Sequence, residues 1–121
     1  MRNNKSNKGF TLIELLIVIA NQGYTNQVMD AARSKKAGGG TVIHAKGTGI
    51  ERAEKFLGVA LVKEKEMVFI VVRRDIRDDI VKAIMEEAGL RAKAQAIAFS
   101  LPVSSVAGMR LVEADELTEK D

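Results

Sequence analysis

Residues 8–24 read KGFTLIELLIVIANQGY, and the reading of this stretch decides the fold. Its apolar run ends at Ala20 and contains Glu14. A membrane-spanning helix needs about 20 consecutive apolar residues, and Asn21, Gln22 and Gly23 stop this run at roughly half that length. A secretory signal fits the length, but Ile19-Ala20-Asn21 is a poor small-residue cleavage site. The run is rich in β-branched side chains (Ile13, Ile17, Val18, Ile19), the composition of a strand buried on both faces. Leu15–Ala20 is therefore expected to be a core strand, preceded by a basic leader.

Bulk properties narrow the field further. A chain of 121 residues suits one domain, large enough to bury a core without crosslinks. The net charge of +3 is too small, and the aromatics (one Tyr, four Phe, no Trp) too few, to argue for nucleic acid. The absence of cysteine excludes disulfides, thiolate metal sites and cysteine nucleophiles. A single histidine, His44, leaves no histidine-based metal cluster.

Outward from the first strand, the chain alternates strand and helix. Thr25–Lys36 reads as a helix with Thr25 as N-cap and Val28, Met29 and Ala32 on one apolar face. Gly38-Gly39-Gly40 ends it, and Thr41–Lys46 is a short strand. Phe56–Val62 and Met67–Val72 are apolar runs joined by the charged Lys63-Glu64-Lys65-Glu66, as in a hairpin. Asp75 is placed to cap a second helix, in which Ile76, Ile80, Ile84 and Ala88 recur at helical spacing until Gly89. Ala96–Leu101 is a last strand closed by Pro102, the only proline. The expected organisation is a disordered basic leader (residues 1–10), a domain over residues 11–109, and a charged tail over residues 110–121.

The order is β-α-β-β-α-β, an α+β, ferredoxin-like antiparallel sheet with both helices on one face. Strands that are apolar at nearly every position want cover on the other face too. Self-association through the open sheet face, as a symmetric oligomer, is the expected solution.

Two resemblances enter at this point. Arg2, Lys5 and Lys8, the Gly9-Phe10 junction and Glu14 resemble a type IV prepilin leader over about a dozen residues. ELLIVIANQGYTNQVMDAARSKKAGGGTVIHAKGTG, EKEMVFIVV, DIVKAIMEEAGL and AIAFSLPVSSVAG resemble the P-II nitrogen regulators, in particular a compact P-II-like branch, from about Glu14 to Gly108. The second resemblance implies a cytoplasmic trimer whose sheets face inward. It further implies small-molecule effectors in clefts between subunits, ATP, ADP or AMP foremost and sometimes 2-oxoglutarate, and a loop that docks on a transporter or an enzyme.

Carried onto this sequence, the resemblance points to Thr41, Lys46, Gly47, Thr48 and Gly49 as ligand-binding positions. Glycine lets backbone N–H groups approach a phosphate, although Gly47 and Gly49 serve equally as a plain turn. Well-studied members carry a glycine-, threonine- and lysine-rich loop before the last strand, where this chain has Gly89-Leu90-Arg91-Ala92-Lys93-Ala94. They carry paired arginines after it, where this chain has Val106-Ala107-Gly108-Met109. Arg91, Lys93 and Arg110 are the candidate substitute charges, with solvated surface or helix-dipole partners as the plainer account. The effector loop, Gly47–Lys55, presents Ile50, Glu51, Arg52 and Glu54 to a partner, and holds neither a tyrosine nor a serine for modification.

His44 alternates with Val42 and Lys46 on a strand face, where a packed or hydrogen-bonded role is expected. Asp75, Asp78, Asp79, Glu86 and Glu87 suit capping and a solvated helix face. No nucleophile–base pair stands out, so the expectation is a regulator and not an enzyme, with no certain cofactor and no metal site. The alternative is a membrane or surface structural protein processed after Gly9. A third reading joins the two: a prepilin-like leader set onto a P-II-like domain by gene fusion or choice of start site.

Overall fold

The computed structural model describes residues 12–48 and 64–108. In chain order the elements are β1 (Ile13–Asn21), α1 (Thr25–Arg33), β2 (Thr41–Lys46), β3 (Glu64–Arg73), α2 (Arg74–Ala88) and β4 (Ile97–Pro102). They form a four-stranded antiparallel sheet in the order β2-β3-β1-β4. The expected α+β, ferredoxin-like arrangement is the one observed. The apolar run ahead of Asn21 is β1, a central strand hydrogen-bonded to β3 on one side and β4 on the other.

Alternation along the strands divides their side chains between two environments. Leu16, Val18 and Ala20 of β1 and Val68, Ile70 and Val72 of β3 point to the helices and are buried. Val28, Met29 and Ala32 of α1 and Ile80, Ala83, Ile84 and Ala88 of α2 close over them. Each fully buried Leu, Ile or Val contributes about 1.5–3 kcal/mol of transfer free energy. Leu15, Ile17, Ile19, Met67, Phe69 and Val71 face the other way and are half-buried. At the sheet edges on that side, Ile43, Ile97, Phe99 and Leu101 are each about half exposed (46%, 50%, 49% and 47%). The strands are apolar on both faces as expected, but a single chain covers one face only.

Local details depart from the sequence reading. Helix α1 stops at Arg33, short of Lys36, and Lys36 takes a left-handed conformation (φ 76°). Thr25 is the first helical residue, Tyr24 holds the cap position, and no side chain caps the helix. Asp75 likewise lies inside α2, in its first turn, with Arg73 at the cap position. The charged Glu64-Lys65-Glu66 is not a turn: it is the start of β3, paired with Lys46, Ala45 and His44. Each glutamate faces a basic or imidazole partner across the strands, Lys46 for Glu64 and His44 for Glu66, which lets a charged segment join the sheet. Pro102 is the last residue of β4, an edge strand, where a missing N–H is tolerated. Gly89 ends α2 as expected; a Cβ there would meet the Met85 carbonyl, whose oxygen accepts the Gly89 N–H. The expected strand Phe56–Val62, the leader and the C-terminal tail lie outside the described residues.

Candidate functional site

The antiparallel register gathers four chain ends at one edge of the fold: the C-terminal ends of β1 and β2 and the N-terminal ends of β3 and β4. The connection from β2 leaves here at Gly47-Thr48 and returns at Glu64. Asn21, the last residue of β1, is buried at 3% exposure and joins three segments. Its backbone N–H donates to the Ala94 carbonyl at 2.8 Å and its side-chain amide to the Lys93 carbonyl at 2.8 Å. Its Oδ1 accepts from Lys65 Nζ at 2.7 Å. The Gln22 N–H donates to the Glu64 carbonyl at 3.0 Å, fixing the start of β3 a second time.

On the helix side of the same edge, Glu66 accepts the Gly23 N–H at 3.1 Å and lies 3.2 Å from His44 Nδ1. Gly23 has φ +98°, a conformation that only glycine takes readily, so the turn from β1 to α1 needs it to aim this N–H. His44 is exposed yet partnered, in keeping with the hydrogen-bonded role expected of it.

The residues singled out by sequence fall into groups. Lys46, Gly47 and Thr48 are at this edge, with Lys46 in an exposed pair with Glu64 (3.9 Å). Thr41 begins β2, five residue steps from Lys46, which is about 17 Å along a strand. Thr41 shares the open sheet face with Phe69, and Lys46 the helix face with Glu64, so within one chain the two side chains do not face a common ligand. Arg91 and Lys93 are exposed in the turn between α2 and β4. The Lys93 backbone meets β1 at Asn21, and β3 lies between β1 and β2, so within one chain two strand spacings, about 10 Å, separate that contact from β2. Gly49, Ile50, Glu51, Arg52 and Glu54 lie outside the described residues. In sequence Asn21 reads as the end of an apolar run and Lys65 as part of a turn, so neither signals a buried contact.

A second polar cluster lies at the opposite edge. The Glu14 carboxylate, 3% exposed, accepts from Ser100 Oγ (2.7 Å) and Arg74 Nε (2.8 Å), with Arg77 Nη1 at 3.4 Å. The Ser100 hydrogen bond, then Arg74 and Arg77, hold its pKa below the usual carboxylate value against the opposing effect of burial. The acidic residue of the prepilin-like leader is thus consumed in an internal network.

Residues 13–113 match the family "Nitrogen regulatory protein P-II". The chain belongs to the P-II family. Residues 4–20 also match the prokaryotic N-terminal methylation motif, so residues 13–20 fall under both. A comparison with curated protein sequences gives no match. Among solved structures, the fold is similar to a PII-like signalling protein of Thermus thermophilus (17% identity, TM-score 0.58), covering 77% of this chain and 87% of that one. It is similar to Arabidopsis thaliana PII bound to citrate (23% identity, TM-score 0.59), covering 78% and 79%. A Bacillus cereus protein related to NIF3 shares the fold at 11% identity and TM-score 0.62, over 78% of this chain and 26% of that protein.

In this P-II chain the leader motif and the domain make opposite demands on one segment. Leu16, Val18 and Ala20 have no exposed surface and their backbone is hydrogen-bonded to two strands. No helix among the described residues is long and apolar enough to cross a membrane.

Proposed function

We propose that this P-II protein is a cytoplasmic, trimeric signalling regulator, not an enzyme. It binds a small anionic effector, first among candidates an adenine nucleotide, in clefts between subunits, and acts on a transporter or enzyme through the segment after Gly47, in keeping with a role in nitrogen metabolism. The family match over residues 13–113 carries this reading. The apolar open sheet face supports assembly, since a patch of this kind is larger than soluble monomers usually expose. The citrate bound to the Arabidopsis relative supports an anionic site and adds citrate to the candidates.

A thermal-shift panel of ATP, ADP, AMP, cyclic nucleotides, 2-oxoglutarate and citrate tests it. A ligand that binds only the folded state stabilises it by about 2.7 kcal/mol at a hundredfold excess over Kd. At least one compound is expected to raise the Tm, and Gly47→Leu to abolish the rise with the assembly intact. A panel with no shift overturns the effector reading.

The methylation-motif match favours a second reading, a structural protein processed after Gly9 and carried to the membrane. It requires residues 13–20 to leave the sheet. Recovery of chains processed after Gly9 in the membrane fraction would establish it.

A further inference from the structure

The methylation motif and the sheet share residues 13–20, and the sheet holds them along both edges. β1 is an interior strand: Ile13–Asn21 pairs with β3, and Glu14–Ile19 with β4. The anchoring reaches back almost to the Gly9–Phe10 bond. The Leu12 carbonyl accepts the Arg74 N–H at 2.8 Å, and the Ile13 carbonyl the Val103 N–H at 3.2 Å. The Glu14 carboxylate is held by Ser100, Arg74 and Arg77. Under the helices, Leu16, Val18 and Ala20 have no exposed surface.

An edge strand can fray from its one neighbour. An interior strand leaves only when two ladders and its core contacts break together, an opening as costly as unfolding the domain. A bilayer compensates poorly for that loss, because the apolar run is about half the length of a spanning helix and carries Glu14. Hydrolysis at Gly9–Phe10 adds water across one peptide bond and leaves a Gly9 carboxylate and a Phe10 amine. All of β1 stays with the longer product, so the cut chain keeps every element of the fold.

We propose that the fold masks this motif: a membrane endopeptidase that cuts after Gly9 acts only on chains whose β1 has not joined the sheet, so leader processing reports global unfolding of the domain. The inference rests on the processing reading above. The effector reading is independent of it. When opening and closing are fast relative to cleavage, the rate follows the population of open chain. Substitutions remote from the motif therefore govern cleavage.

The test mixes purified full-length chain with bacterial membranes whose prepilin peptidase is shown to be active on a prepilin. Two variants leave residues 4–20 untouched. Ile84 is fully buried in α2, so Ile84→Val and Ile84→Ala lower stability in two steps, which chemical denaturation confirms. Loss of residues 1–9, read by mass spectrometry, is expected to quicken in the same order, about thirtyfold or more for Ile84→Ala. A variant too unstable to fold is expected to be cut fastest of all. Rates within twofold of one another across the series overturn the mask and leave the processing reading standing. No cleavage of any chain, including natural chain synthesised in the presence of the membranes, overturns both.

Discussion

Glu14 shows how one residue changes meaning with its surroundings. In the sequence it interrupts an apolar run; in the fold it is the acceptor for Ser100, Arg74 and Arg77. Its pKa is lowered in the folded state, so it contributes stability at neutral pH. That contribution is present above the ordinary carboxylate pKa and is lost as pH falls through the lower folded value. We expect the Tm difference between the natural chain and Glu14→Gln to be largest near neutral pH and to shrink on acidification below about pH 4. Thermal melts of both proteins from pH 7 to pH 3 check this, and a constant difference would refute it. Asn21 teaches the complementary lesson. Nothing in its neighbours announces a buried hub, because its partners Lys65, Lys93 and Ala94 are far away in the chain.

At the scale of elements, β1 and β3 were legible from their apolar, β-branched runs and α2 from its helical spacing. Their boundaries were not. The Lys63–Glu66 segment looks like a hairpin turn because four consecutive charges favour solvent. Pairing with His44 and Lys46 supplies the compensation that local composition lacks. The helix starts were misplaced for a similar reason: Thr25 and Asp75 are good caps in isolation, but the strand register sets where each helix begins. Among single positions in the elements, Leu16 on the covered face of β1 carries a clear expectation. Leu16→Ala should lower the unfolding free energy by about 2–5 kcal/mol, since the surrounding helices leave the cavity unfilled. Chemical denaturation measures it, and a loss under about 1 kcal/mol would mean that β1 is not the core strand described here.

For the whole molecule, the uncovered sheet face dominates. Ile43, Met67, Ile19 and Ile97 form one apolar row, and Phe69, Ile17 and Phe99 the next, because strand register, not sequence distance, sets them side by side. Phe99→Asp should convert the assembly to a folded monomer, seen by light scattering with circular dichroism unchanged. A natural chain that is already monomeric at micromolar concentration would remove the proposed trimer. By itself the sequence determined the element types, their order, and that two strands are apolar on both sides, because side-chain periodicity is a local property. It also carried the family resemblance. Tertiary structure alone decided how far the first strand runs and which strands flank it: β3 and β4 supply the hydrogen-bond partners, and the pairing with β3 extends it from Ile13 to Asn21. It also decided which sheet face the helices cover, and that Asn21 and Lys65 meet. Those outcomes depend on partners dozens of residues away, whose register no local pattern specifies.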